Sequence, residues 1–369
     1  MKTKLAYLCS SVSWGGLEMN HLKNALWMHQ RGHEVLVIGI ESSQFIVEAK
    51  QFDLNVLIIQ KHKKYYDFKA GKKLAKSLGE LQVTHLIIRD NRDLSLAVIA
   101  KRKCKTPIHL SYFMEMQLGV SKRGLFHTIR YKYLDLWSCP LNWLAEQVKN
   151  QTRINAKKIS VIPSGLDFAQ LNDEIDKSEA RDILNLPNEK FIFGLIGRFD
   201  EHKGQLLVLE AFKNLNDKNA ILCFLGEPNR EGGVDYYNRI QDFIAQNDLN
   251  DRVLIRPFRK DVGVFYKAID CCMMASKSET FGMVTIESLY CGTPVLASNA
   301  GGSLEIIENE KTGLLFESMN STDLVSKMKI VMNNKINFQE EILRKSVEIF
   351  DANAVCFQVE DAFDLDHPY

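Results

Sequence analysis

"KFIFGLIGRFDEHKGQLLVLEAFKNL", residues 190–215, decides the fold. Its apolar run, "KFIFGLIGRF" (190–199), passes through a polar turn into a helical pattern over 204–215. A strand that is apolar on both faces needs a sheet covered on both sides. Followed directly by a helix, it predicts a parallel βαβ unit.

The alternation continues with "AILCFLG" (220–226), a helix over 234–247, "RVLIRPF" (252–258), "DCCMMAS" (270–276), a helix over 283–291 and "PVLAS" (294–298). It also occurs upstream, in "KLAYLCSS" (4–11), "HEVLVIGI" (33–40), "LNVLIIQ" (54–60), "VTHLIIRD" (83–90) and "TPIHLSYF" (106–113), with helical patterns at 17–31, 69–79 and 93–103. Each series opens with a strand, a Gly-bearing loop and a helix, "SSVSWGGLE" in the first and "GRFDEHKG" in the second. At 369 residues the chain exceeds the size at which a single core stops growing. The expectation is therefore an α/β protein of two facing, doubly wound Rossmann-like domains, 1–168 and 169–345. "VIPSGLD" (161–167) and the polar "QLNDEIDKSEARD" (170–182) read as the linker. The amphipathic tail 346–369 is expected to form a helix that crosses back onto the first domain.

Hydrophobic residues make up 46% and charged residues 25% of the chain, and no apolar run is long enough to span a bilayer. The opening "LAYLC" ends in a Ser/Gly turn without a cleavage pattern, so it predicts a first strand rather than a leader. Eight cysteines without a CxxC pair read as reduced, buried thiols of a cytoplasmic protein. Residues 1–168 hold 26 Lys and Arg against 13 Asp and Glu, whereas the remainder holds 21 against 33. Opposite signs in the two halves imply separate jobs.

Ligands of open α/β sheets bind beyond the carboxyl ends of the strands, where helix N-termini present free N–H groups. "GRFDEHKG" puts Arg198 at a strand exit and Lys203 at the start of the next helix. The pair suits a diphosphate whose charge grows as a bond to it breaks. An ordinary surface pair would leave the same trace. "SETFGMVTIESLYCGTPVLAS" (278–298) carries Glu279 and Glu287. Backbone N–H groups from Phe281 through Gly282 and Met283 to Val284 would face a ligand. Glu287 could accept paired hydrogen bonds from a vicinal diol such as a ribose. Spacing alone is equally compatible with two glutamates on a helix surface.

These segments, with "NAGGSLEII", "VIPSGLD" and "WGGLE", together resemble family 4 of the retaining glycosyltransferases, of GT-B fold. The resemblance is dense from 190 to 317 and thin in the first half. It implies that Glu279 and Glu287 form the E-x7-E motif, that Glu287 holds the ribose and Glu279 the transferred sugar, and that Arg198 and Lys203 contact the diphosphate. It further implies that Gly15 and Gly16 close over the phosphates. One departure is that Phe113 stands where many relatives carry a histidine. His109, inside the strand, reads as a satisfied core residue, and Asp90, Asn91 or Glu115 is left to supply that polar contact if one is needed. The implied chemistry is a retaining hexosyl transfer from a nucleotide sugar, a UDP- or GDP-sugar, to a glycan or lipid-linked acceptor in cell-surface polysaccharide biosynthesis. No cofactor and no metal are expected, because the one DxD pair, Asp364 and Asp366, reads as a solvated helix end. Arg256 and the turn at Glu227 would flank the base without identifying it.

Lysines and arginines interleaved with aromatics, as in "KHKKYYDFKAGKK" and "SKRGLFHTIRYKYLDLW", make the first half basic. No nucleic-acid reading module accompanies them. An anionic acceptor or an anionic membrane surface fits better, with the protein peripheral on the inner face of the membrane. A nucleotide-sugar epimerase of the same fold and a non-catalytic nucleotide-sugar-binding protein are the alternatives. A nicotinamide enzyme is disfavoured because neither opening loop reads GxGxxG.

Overall fold

The computed structural model describes residues 3–171, 174–228 and 233–367. The chain divides into two compact units, one formed by the residues up to Gly165 together with those from Ala352 onward, the other by Leu166–Asp351.

The first unit runs β1 (Lys4–Cys9), α1 (Gly16–Gln30), β2 (Glu34–Ile40), α2 (Gln44–Gln51), β3 (Asn55–Ile59), α3 (Phe68–Glu80), β4 (His85–Ile88), α4 (Leu94–Lys103), β5 (His109–Phe113), α5 (Leu125–Lys132), β6 (Leu136–Cys139), α6 (Asn142–Gln151) and β7 (Ile159–Val161). Its strands lie in the order β3-β2-β1-β4-β5-β6-β7, all parallel. Along β1 the side chains alternate between two cores. Leu5, Tyr7 and Cys9 face one with Val35 and Phe45, and Ala6 and Leu8 face the other with Leu36 and Leu86. That double burial is why the strands read as unbroken apolar runs.

The second unit comprises α7 (Lys177–Leu184), β8 (Phe191–Ile196), α8 (Gln205–Leu215), β9 (Ala220–Leu225), α9 (Gly233–Gln246), β10 (Val253–Arg256), α10 (Val262–Ala268), β11 (Cys271–Met274), α11 (Met283–Tyr290), β12 (Val295–Ser298), α12 (Ser303–Ile306), β13 (Gly313–Phe316), α13 (Ser321–Met332) and α14 (Glu340–Ser346). Its sheet, also parallel, is ordered β10-β9-β8-β11-β12-β13. In each sheet the order reverses beside the first strand, between β1 and β4 and between β8 and β11. Those are the switch points at which such sheets bind ligands.

Helix α15 (Ala352–Ala362) returns to the first unit and packs on α1. Val355, Cys356, Val359 and Phe363 enter the core of Leu5, Tyr7 and Trp27. Arg31 grips the fully buried Glu360 through two bonds of 2.7 Å, and His33 adds a third at 2.8 Å.

Three expectations are corrected. The tail from 346 is not one helix, because α14 and a 3-10 turn at Glu348–Phe350 stay with the second unit before α15 begins. The unit boundaries fall after Gly165 and after Asp351 rather than at 168 and 345. Leu166 is the reason: its N–H donates to Phe350 O at 2.9 Å and it bridges to Asp351, tying both segments to the second unit. The polar stretch read as linker contains α7, capped by the Asp176 carboxylate on Glu179 N at 2.8 Å. There Arg181 is buried by donating to Asp270 and to the carbonyls of Ala268 and Asn188, so a charged sequence hides a packed helix. Asn172 and Asp173 of that stretch lie outside the described residues.

Candidate active site

Strand β8 is followed by Gly197 and Arg198, and a turn at Glu201–Lys203, opened by Asp200 accepting from His202 N at 2.8 Å, leads into α8. Strand β11 is followed by Ser276 and the segment that carries Glu279. These two loops meet at the switch point. Lys203 Nζ stands 2.9 Å from Glu279 Oε2, on which Ser276 Oγ also donates at 3.3 Å. Backbone bonds brace the junction, Lys277 N to His202 O at 3.1 Å and Gly302 N to Glu279 O at 2.8 Å.

Two glycines make the junction feasible. Gly301, at φ +59°, lies so close to Glu279 that an added Cβ would fall 2.2 Å from its carbonyl oxygen. Gly282, at φ +93°, turns the chain left-handed just before α11. Both conformations favour a residue without a Cβ. Helix α11 then begins at Met283. Met283 and Val284 belong to its first turn, whereas the Phe281 ring is buried and meets Phe350 edge-on at 5.5 Å.

Glu287 sits one turn further along α11. Tyr266 of α10, fully buried, donates its hydroxyl to Glu287 Oε2 at 2.6 Å. Burial, reinforced by the neighbouring Glu287 charge, pushes the phenol well above its ordinary value, so Tyr266 remains a donor. It orients a carboxylate on the helix that carries the expected ribose contact. Sequence reading missed Tyr266, because a tyrosine inside a short apolar helix looks like core.

The Arg198 side chain is exposed, and among the described residues it has no hydrogen-bond or ion-pair partner. Its carbonyl is held by Gln205 Nε2 at 2.9 Å, which fixes the backbone and leaves the guanidinium available. Arg256 is different. Its Nε lies 3.3 Å from Leu184 O and its Nη2 3.4 Å from Asn185 O, at the carboxyl end of α7. Glu227, expected beside it, uses its carbonyl to hold Phe199 N at 3.0 Å.

Gly15 and Gly16 belong to the first unit, at the N-terminus of α1, where Gly15 N donates to Glu18 Oε2 at 3.0 Å. Phe113 is buried against the Arg89 guanidinium, 5.3 Å from its ring centroid. Glu115 is engaged by Arg89 and by Ser164 Oγ at 3.0 Å, and Asp90 by Arg92 at 2.7 Å. Among the described residues only Asn91 of those three keeps an unpartnered side-chain oxygen, Oδ1. His109 opens β5 and stacks on His85 at 5.0 Å. Its Nε2 has no partner among the described residues, so it is a packed but unsatisfied histidine, and burial lowers its pKa.

The eight cysteines are free, and all but Cys104 are buried. Among the described residues no group of three His, Cys, Asp or Glu could hold a metal ion, and no helix is long and apolar enough to cross a membrane.

The profile for "Glycosyl transferases group 1" matches residues 176–348. A Methanocaldococcus jannaschii protein named an uncharacterized glycosyltransferase is 26% identical over 334 residues, 88% of this chain and 80% of that protein. The Escherichia coli UDP-Gal:alpha-D-GlcNAc-diphosphoundecaprenol alpha-1,3-galactosyltransferase is 25% identical over 56% of this chain, a match that spans only 55% of the enzyme's own length. A crystal structure of Anabaena Alr3699/HepE in complex with UDP superposes with a TM-score of 0.85 at 20% identity, over 99% of this chain and 100% of that one. At that identity the likeness shows the fold, which is GT-B. Over residues 176–348 the chain is therefore similar to the group 1 glycosyl transferases.

Proposed function

We propose that the protein is a retaining, metal-independent glycosyltransferase that moves a hexose-type sugar from a UDP- or GDP-sugar to a glycan or lipid-linked acceptor in cell-surface polysaccharide biosynthesis. The observation that carries this reading is the meeting of Lys203 and Glu279 across the switch point of the second sheet, with the unpaired Arg198 at the same strand end. Support for the donor class comes from the UDP bound by the Anabaena structure, and support for a lipid-linked acceptor from the name of the E. coli relative.

In this reading Lys203 and Arg198 bind the diphosphate, Glu279 the sugar and Glu287 the ribose, with the segment from Phe281 to Val284 beside the donor. Arg256, bonded to the last carbonyls of α7, stands on the nucleotide side. As the bond from the anomeric carbon to the phosphate oxygen breaks, its electron pair goes to the diphosphate, whose growing charge Arg198 and Lys203 stabilise. The acceptor oxygen attacks on the same face and its proton passes to that departing oxygen, so the configuration is retained. Catalysis is positioning plus leaving-group stabilisation.

The basic first unit would hold the protein peripherally on the anionic inner face of the membrane. Exposed Tyr66, Leu125 and Ile129 lie in the same segments as Lys63, Lys64, Lys122 and Arg123, a mixture suited to such a surface. Flotation with anionic vesicles tests this part, and an absence of salt-sensitive binding removes it.

Thermal unfolding with UDP, GDP, ADP and their sugars tests the donor. One nucleotide at a hundred times its dissociation constant should add about 2.7 kcal/mol. No stabilisation by any of them, together with no release of free nucleotide from donor sugars, refutes the reading.

A further inference from the structure

One edge of the first sheet is left open. β3 stands outermost there and pairs with β2 alone, from Asn55 opposite Leu36 to Ile59 opposite Ile40. Among the described residues no other group bonds to the backbone of Asn55–Ile59, so the N–H and C=O groups that point away from β2 are unpaired. The outermost strand β13 of the second sheet is treated differently: Glu310 N donates to Gly313 O at 2.8 Å, and Asn309 Oδ1 accepts from Leu315 N at 2.9 Å. Its own chain lies along that strand. β3, by contrast, carries no charge between Val56 and Ile59, and Ile58 is 39% exposed. An apolar edge of this kind is a template for another strand unless something covers it.

Beside the edge runs a cavity of about 400 Å³, bounded on its other side by α3. Residues 57–61 line it consecutively. Strand side chains alternate between two faces, so an unbroken row can border one cavity only where that cavity follows the main-chain edge. Leu57 and Ile59, half-buried, turn to the same core as Leu74 and Leu96, and with Ala70 these residues make an apolar wall. Lys61, Lys69 and Lys73 also line the cavity, and among the described residues they meet no carboxylate. The acid on the lining, Asp67, is already engaged. It caps α3 by accepting from Ala70 N at 3.0 Å and also accepts from Lys63 N at 3.2 Å, bonds that hold its carboxyl below its ordinary value.

An unpaired strand edge, an apolar wall and three unmatched ammonium groups together suit an extended, acidic peptide. A second copy of the chain would set the three lysines against their own counterparts, which disfavours self-pairing. We propose that the groove between β3 and α3 is a docking site for a partner protein, an extended segment of which joins β3 as a further strand. That segment carries an apolar side chain toward α3, flanked by glutamates or aspartates. Main-chain bonds supply its affinity, the wall of Leu57, Ile59, Ala70 and Leu74 sets its register, and the lysines choose an acidic sequence. The donor site plays no part in it.

The probe is a fluorescein-labelled peptide amide, Asp-Glu-Val-Leu-Val-Glu-Asp, titrated with the full chain and followed by anisotropy. Saturable binding is expected, with slower amide exchange across Asn55–Ile59 in the complex. K69E/K73E, altered at two exposed positions of α3, should bind tenfold or more weakly at an unchanged urea midpoint. The same peptide methylated at its three central amide nitrogens keeps its charge but cannot pair as a strand, and Lys-Arg-Val-Leu-Val-Arg-Lys reverses the charge; neither should bind. Equal binding of the methylated peptide rules out strand addition, and equal binding by wild type and K69E/K73E takes the groove out of the interaction. No binding of the acidic peptide overturns the proposal. So does a dimer, detected by sedimentation, that shuts the peptide out, because a second copy then occupies the edge. Salt-sensitive flotation on phosphatidylserine vesicles that K69E/K73E abolishes, without peptide binding, would assign the groove to a membrane instead.

Discussion

Lys203 Nζ lies 2.9 Å from Glu279 Oε2, joining the loop after β8 to the loop after β11. The pair is about a third and a fifth exposed, so its attraction adds only roughly 0.2–1 kcal/mol to folding. Its expected value is catalytic. Lys203→Met and Glu279→Gln should each lower kcat by about 10²–10³ while urea unfolding midpoints barely move. The double variant should lose little more than either single one, since the residues act as a unit. Additive losses would show that they work independently.

Arg198 is exposed and partnerless among the described residues, so Arg198→Ala should leave stability within about 0.5 kcal/mol of wild type. Turnover should fall about a hundredfold or more. A folded variant with near-normal kcat/KM removes Arg198 from the mechanism.

Tyr266 and Glu287 should separate stability from binding. Glu287→Ala strands a buried hydroxyl, a loss of about 1–3 kcal/mol, and raises the donor KM. Tyr266→Phe removes the hydroxyl without stranding a partner of its own kind, so its stability loss should be smaller. If Tyr266 positions Glu287, donor KM should still rise severalfold with kcat preserved. An unchanged KM would make the contact purely structural.

Gly301→Ala places a Cβ 2.2 Å from Glu279 O on a backbone already at φ +59°. The loop carrying Glu279 must then move. A loss of about 1–3 kcal/mol in stability is expected, accompanied by loss of transfer activity. Full activity would mean that the backbone position of Glu279 is not needed.

Glu360 gives the pH dependence. Burial opposes its ionisation, but hydrogen bonds from Arg31, His33 and His367 prevail and hold it down from 4.5 to about 2. A depressed carboxyl contributes stability that is complete above 4.5 and is lost as pH falls toward 2. Glu360→Gln should therefore be less stable at neutral pH, by about 3–5 kcal/mol for a stranded buried Arg31. Its deficit in thermal unfolding should shrink below pH 4.5. A deficit independent of pH would rule out the ionised pair as its cause.

The strands were legible because burial on both faces leaves a pattern that polar neighbours cannot obscure. The helix at 177–184 was not, since Arg181 and Asp176 earn their places through partners 80 or more residues away or through a cap, and neither leaves a period. The spacing of Glu279 and Glu287 could be read directly. What could not be read was the company they keep: Ser276 on one carboxylate, Tyr266 on the other, and a glycine at 301 that lets two backbones touch. At Arg256 the strand end suggested a nucleotide contact, and its bonds to the last carbonyls of α7 left no trace in the sequence. His62, after β3, and Asp93, just before α4, went unnoticed although His62 Nε2 lies 3.0 Å from Asp93 Oδ1, because 31 positions separate them.

The docking of α15 against α1 bears on how the molecule is made. The ribosome releases every residue of the second unit before it delivers Val355 and Val359, so the apolar face around Leu5, Tyr7 and Trp27 must wait uncovered. The later-made unit, contiguous along the chain, is free to close first, and the earlier-made one is sealed last. Nascent chains of this protein should accordingly expose a sticky surface around Leu5, Tyr7 and Trp27 until α15 has been made, which makes that surface the natural place for a chaperone to hold.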